Sequence, residues 1–144
     1  AALRWLRGRG VAEGDTVVFG KSLGGAVACE IAQGRELAAL VLESTFTSLA
    51  SVARRLFPFL PCGVPLGENY GSLDKIGRAR CPVLVIHGDR DDLIPVEEGK
   101  ELFRAAPQPK ELYLVRGAGH NDVSLVAGDE YARRIDSFLV TYSS

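Results

Sequence analysis

The chain has little of what marks several large classes of protein. Its two histidines and its three cysteines, Cys29, Cys62 and Cys81, form no metal-binding spacing and no paired disulfide framework. An odd count of thiols without a framework favours a reducing, cytoplasmic setting. Charge of one sign is lacking too: 17 Lys and Arg face 18 Asp and Glu, for a formal net charge of −1. With no basic stripe, nucleic acid is not an expected partner. No apolar run reaches membrane-spanning length, and there is no internal repeat or low-complexity stretch. Whether the parent protein is targeted or anchored to a membrane is not decided by these residues. What remains is 144 residues, 47% hydrophobic and 24% charged, enough for one sizeable core.

The informative stretch is Thr16 to Ile31. An apolar run, Thr16-Val17-Val18-Phe19, meets Gly20-Lys21-Ser22-Leu23-Gly24-Gly25 and then a helix-like Ala26-Val27-Ala28-Cys29-Glu30-Ile31-Ala32. This is G-x-S-x-G between a strand and a helix, the context that gives the motif meaning. A serine on so sharp a turn sits in strained backbone, and flanking glycines leave room for it. Its hydroxyl then stands at a helix N-terminus, where backbone N–H groups hold a developing oxyanion. Ser22 is the candidate nucleophile. The same residues also suit a plain strand-to-helix turn with Ser22 as N-cap.

Partners follow in order. Pro82-Val83-Leu84-Val85-Ile86 reads as a buried strand and is followed by His87-Gly88-Asp89-Arg90-Asp91-Asp92-Leu93-Ile94-Pro95. Leu112-Tyr113-Leu114-Val115 reads as another, followed by Arg116-Gly117-Ala118-Gly119-His120-Asn121-Asp122. Acidic and imidazole candidates thus follow the C-terminal ends of strands, where open α/β sheets place their sites. The chain order is Ser, Asp, His. Asp89, Asp91 and Asp92 compete for the acid, with Glu43 a rival at the end of another predicted strand. His87 is the rival base, although its place directly after a strand suits packing better.

With these segments in view, the chain resembles the α/β-hydrolase superfamily. Within it, the likeness is to the depalmitoylase-like α/β-hydrolase-domain proteins and their bacterial relatives. It rests on the Ser22 elbow, Leu42-Glu43-Ser44-Thr45-Phe46-Thr47-Ser48, His87-Gly88-Asp89-Arg90-Asp91 and Gly117-Ala118-Gly119-His120-Asn121-Asp122, nearly the whole chain. The resemblance implies Ser22 as nucleophile, Asp91 as triad acid and His120 as general base. Its pattern, His-Gly-x-x-Asp with an aliphatic–proline pair after two residues, selects Asp91. Asp89 is then a turn-former and Asp92 a solvated neighbour. Asn121 and Asp122 are candidates for holding the His120 loop.

The chemistry follows from need. A serine hydroxyl is a poor nucleophile at neutral pH and requires a base within hydrogen-bond reach. Imidazole suits that role, and a carboxylate on its other nitrogen fixes the tautomer and stabilises the imidazolium. The backbone N–H of Leu23, the residue after the nucleophile, is the expected oxyanion donor. No metal and no organic cofactor is implied.

A second oxyanion donor comes, in the resembling fold, from a loop after an earlier strand. Here only a helix tail (Leu3, Trp5, Leu6) ended by Gly8 and Gly10 precedes the elbow strand. The strand candidates are Thr16–Phe19, Leu37–Leu42, Pro82–Ile86 and Leu112–Val115, and the family's sheet has about twice as many. The expected fold is therefore an α/β, mostly parallel sheet with flanking helices, the C-terminal half of an α/β-hydrolase fold. Residues 1–144 are expected to form a single domain. Apolar, non-alternating runs such as Val83-Leu84-Val85-Ile86 agree with parallel strands covered on both faces. The elbow strand is expected at an unpaired edge, which invites self-association or a missing segment.

A reduced lid is expected at residues 46–76. Leu49, Val52, Ala53 and Leu56 recur at helical spacing before Pro58, Pro61 and Pro65 break the chain. Phe46, Phe57, Phe59 and Leu60 are the candidate substrate-binding residues. Further helices are expected from Pro95 to Pro107, and from Asp129 to Val140 with Tyr131, Ile135, Phe138 and Leu139 on one stripe. Gly20-Lys21-Ser22 does not make a phosphate-binding loop, because the earlier glycine that motif needs is Asp15 here.

The resulting expectation is a serine hydrolase cleaving ester or thioester bonds of a small-molecule or acylated-protein substrate. A peptidase on the same fold and a catalytically incomplete fragment or interaction module are the alternatives.

Overall fold

The computed structural model describes residues 2–56 and 71–142. Along the chain come α1 (Ala2–Arg7), β1 (Val17–Lys21), α2 (Leu23–Ala32), β2 (Ala39–Glu43), α3 (Leu49–Leu56) and α4 (Ser72–Ile76). Then follow β3 (Val83–Gly88), α5 (Val96–Ala105), β4 (Lys110–Val115), α6 (Val123–Ala127) and α7 (Asp129–Tyr142). The strands form one sheet in chain order, β1-β2-β3-β4, with every neighbouring pair parallel. Parallel neighbours cannot be joined by a hairpin, so a helical crossover lies in each connection.

Burial explains the continuous apolar runs. Every residue of β2 and β3 is buried, because helices cover both faces. The register sets Leu40 beside Val83 and Leu42 beside Val85. That face packs against Cys29 and Ala32 of α2, Ile76 of α4 and Leu102 of α5. The opposite face, Ala39, Val41, Leu84 and Ile86, is covered by Phe138 of α7 with Tyr131, Ile135 and Leu139 around it. Each fully buried Val, Leu, Ile or Phe side chain here contributes about 1.5–3 kcal/mol relative to exposure. Burial in this core also pushes the Cys29 thiol up to about 12 and the Cys81 thiol to about 11, so neither is a nucleophile at neutral pH.

Several strands run past their apolar residues. β1 continues through Lys21, and β3 takes in His87 and Gly88, whose ladder partners are Leu114 and Val115 of β4. Ladder pairing thus carries polar groups to the C-terminal edge, where the loops collect. β1 lies at one edge of the sheet, with Val17 41% and Phe19 48% exposed.

The part of the expected lid within the described residues has a closed neck. Ser48 and Gly71 form an antiparallel bridge, and the Ser72 amide donates to the Thr47 carbonyl at 2.7 Å. Glu98 of α5 ties this neck down, accepting from the Thr47 amide (2.7 Å), the Thr47 hydroxyl (2.6 Å) and the Ser51 hydroxyl (3.2 Å). Phe57, Phe59, Leu60 and Cys62 lie outside the described residues. No helix among the described residues is long and apolar enough to cross a membrane.

Candidate active site

The turn from β1 into α2 places Ser22 at φ 49°, ψ −122°. Among the described residues only Ser22 and Ser44 are non-glycines with positive φ, and both stand at the C-terminal edge of the sheet. Such backbone costs about 1–3 kcal/mol and persists only where its surroundings over-determine it. Here the Ser22 amide donates to the Glu43 carbonyl at 2.9 Å. The Ser22 carbonyl accepts from the Thr45 hydroxyl at 2.6 Å and from the Gly25 amide at 3.0 Å.

The close approach of α2 to the sheet decides which glycines matter. A Cβ on Gly20 would come within 2.6 Å of the Ala28 Cβ and of the Gly24 carbonyl oxygen. A Cβ on Gly25 would collide with the Thr45 side chain, whereas one on Gly24 meets nothing within 4 Å. Gly20 and Gly25 therefore give Ser22 its room; the motif's second glycine, Gly24, does not.

The structure brings Ser22, Asp91 and His120 together. The Ser22 hydroxyl lies 3.0 Å from His120 Nε2, and His120 Nδ1 lies 2.8 Å from Asp91 Oδ2. A carboxylate only accepts, so Nδ1 carries the hydrogen and Nε2 is left to accept from Ser22. Asp91 Oδ1 takes the amides of Leu93 (3.0 Å) and Ile94 (2.8 Å). Asp91 and His120 are 7% and 8% exposed, so this chain is shielded from water except at Ser22. Burial by itself pushes the Asp91 carboxyl up, but the His87 contact, the Ile94 amide and His120 outweigh it. The group is held below the ordinary carboxylate range.

The other acids near the site have other surroundings. Asp89 Oδ1 accepts from the Gly117 amide at 2.6 Å, tying the loop after β3 to the loop after β4. Asp122 Oδ1 accepts from the Gly119 amide at 2.7 Å and so braces the turn carrying His120. Asp92 is exposed. Glu43 is 2% exposed and has other partners: it ion-pairs with Lys21 Nζ at 2.9 Å and accepts from the Tyr131 hydroxyl. Burial, followed by this carboxylate, pushes the Tyr131 phenol up. Lys21 thus belongs to an ion pair on the sheet edge.

Leu23 opens α2 and is 54% exposed beside the nucleophile. Phe46 is 2% exposed and packs with Ala26 and Ile94, flanked by Leu49, Val52 and Leu93. Among the described residues no group of three or more His, Cys, Asp or Glu is placed to hold a metal ion. The part played by Thr45 was not visible in the sequence, since nothing in a threonine after a strand announces a bond to a residue 23 positions earlier. His87, assigned to packing, lies 3.4 Å from Asp91 Oδ2; the signal available was its place at the strand end just before the acid loop.

A family profile described as alpha/beta hydrolase domain matches residues 3–134. The chain belongs to the alpha/beta hydrolase domain family. It is 42% identical over 140 residues to an uncharacterized protein of Mycobacterium tuberculosis, covering 96% of this chain and 50% of that one. It is 34% identical over 144 residues to the human alpha/beta hydrolase domain-containing protein 17C, covering 96% of this chain and 41% of that one. The chain thus spans about half the length of these curated relatives.

Among solved structures, the esterase domain from a Rhodothermus marinus protein aligns with a TM-score of 0.76 at 24% identity, over 100% of this chain and 67% of that one. The Pyrococcus furiosus esterase aligns with a TM-score of 0.77 at 22% identity, over 100% and 60%. At these identities the likeness is one of fold: a parallel sheet with flanking helices, as in α/β hydrolases.

Proposed function

We propose that the protein is a serine hydrolase that cleaves ester or thioester bonds through an acyl-enzyme. One observation carries this reading: the hydrogen-bonded chain from the Ser22 hydroxyl through His120 to Asp91, at 3.0 and 2.8 Å. In it, Ser22 Oγ attacks the acyl carbonyl carbon while its proton passes to His120 Nε2. Asp91 keeps Nδ1–H in place and stabilises the imidazolium without taking the proton. The oxyanion forms against the backbone N–H of Leu23, at the positive end of α2. His120 then returns the proton to the leaving alcohol or thiol, and water repeats the sequence on the acyl-serine.

Family membership and the esterases among the structural neighbours support the ester class. The exposed Leu23 side chain offers apolar surface beside Ser22, in keeping with the acyl group of a small molecule or an acylated protein.

The test is labelling of the folded protein with a fluorophosphonate, alongside Ser22→Ala. Labelling that disappears in the variant is the expected result. Labelling that survives it removes Ser22 as nucleophile. A folded protein that does not label at all has an incomplete site, and the second reading, a non-catalytic fragment, then takes over. The chain's span of about half its relatives' length is what keeps that reading in play.

A further inference from the structure

We infer that His87 is a positioning residue for the acid of this site, cinching the 91–94 loop and presenting its Nε2–H to the oxygen that holds His120. The inference rests on the Ser22, His120 and Asp91 roles proposed above.

His87 is the penultimate residue of β3 and is 0% exposed. Its Nε2 lies 2.9 Å from the Ile94 carbonyl oxygen and 3.4 Å from Asp91 Oδ2. A carbonyl only accepts, so the ring hydrogen sits on Nε2. The Ile94 peptide groups are thereby held on both sides, the amide by Asp91 Oδ1 at 2.8 Å and the carbonyl by His87. Both carboxylate oxygens of Asp91 are engaged: Oδ1 with two amides, Oδ2 with two imidazoles. Rotation of that carboxylate would break contacts on both oxygens at once.

The other ring nitrogen argues against a mere core filler. His87 Nδ1 is buried without a hydrogen-bond partner among the described residues. It faces α5 so closely that a Cβ on Gly99 would lie 2.5 Å from it. An apolar side chain there would avoid the cost of an unsatisfied buried polar atom, so the gain has to come from the Nε2 side.

The test compares His87→Leu with His87→Gln, whose side-chain amide keeps a donor at similar reach. Two readouts are taken: the fluorophosphonate labelling rate of Ser22, and the NMR frequency of the His120 Nδ1–H, assignable because the chain has two histidines. The expected result is a labelling rate lower by about tenfold or more in His87→Leu. The His120 Nδ1–H resonance should move with it, and His87→Gln should bring both back toward the original protein. An unchanged rate and resonance in folded His87→Leu overturns the inference. Equal loss in both variants also overturns it, since shape alone would then matter.

If His87→Leu does not fold, the original protein decides through nitrogen shifts of the His87 ring: the Nε2–H tautomer supports the inference and the Nδ1–H tautomer overturns it. A protein that never labels, yet whose His120 resonance moves in His87→Leu, would fault the proposed activity and leave the positioning intact.

Discussion

The hydroxyl of Thr45 donates to the carbonyl oxygen of Ser22 at 2.6 Å, from the turn that follows the neighbouring strand. With the Ser22 amide held by the Glu43 carbonyl, both peptide groups of a strained residue are clamped from β2 and its extension. Thr45→Val keeps the shape and removes the donor, while the Gly25 amide still serves the carbonyl. The expected loss is about 0.5–1.5 kcal/mol of stability, with labelling of Ser22 slowed several-fold. Thr45→Ser restores both. Urea denaturation and labelling kinetics on the three proteins check this.

The elbow glycines separate by what surrounds them. Gly20→Ala and Gly25→Ala each force a Cβ into α2 or Thr45 and should cost about 1–3 kcal/mol or more. Gly24→Ala meets open space and should leave the denaturation midpoint close to that of the original protein.

Asp91 carries a pH signature. Its folded pKa lies below the unfolded value, so the unfolded chain takes up the proton first as pH falls. Its contribution to stability is therefore complete above the ordinary carboxylate range and drains away as pH drops below about 4. Asp91→Asn should lack that part of the acid slope in midpoints measured across this range. It should also slow labelling on the order of a thousandfold or more, because the amide no longer enforces the Nδ1–H form of His120.

Gly99 poses two principles against each other. It sits inside α5, where alanine is ordinarily favoured by about 0.5–1 kcal/mol. Its Cβ would lie 2.5 Å from His87 Nδ1. Close packing is expected to win, so Gly99→Ala lowers the thermal midpoint. A raised midpoint with unchanged labelling would mean that the ring yields without consequence.

Glu98 anchors the neck at Thr47 and Ser51 through one carboxylate oxygen. Glu98→Ala should speed hydrogen exchange at the Thr47 amide while amides of β2 and β3 keep their protection. Uniform loss of protection would show instead that this anchor supports the whole fold.

Parallel strands buried on both faces were legible because their apolar runs are unbroken, as in Val83-Leu84-Val85-Ile86. Strand ends were not: Lys21, His87 and Gly88 join their strands through ladder bonds, which leave no trace in hydropathy. Ser22, Asp91 and His120 could be singled out because each follows a strand in the order the hydrolase resemblance expects, and the structure sets them in hydrogen-bond contact. What surrounds them could not. Thr45, the second imidazole at Asp91 and the preference for Gly25 over Gly24 depend on contacts between segments far apart in the chain.

In the sheet the strands stand side by side in chain order, from β1 to β4. Ser22, Asp91 and His120 follow β1, β3 and β4 in turn, so their contact draws on strands across the whole described sheet. From α7 the Tyr131 hydroxyl reaches Glu43, whose carbonyl holds the Ser22 amide. The contact between Ser22 and His120 thus ties the loop after β1, at one end of the strand order, to the loop after β4, at the other.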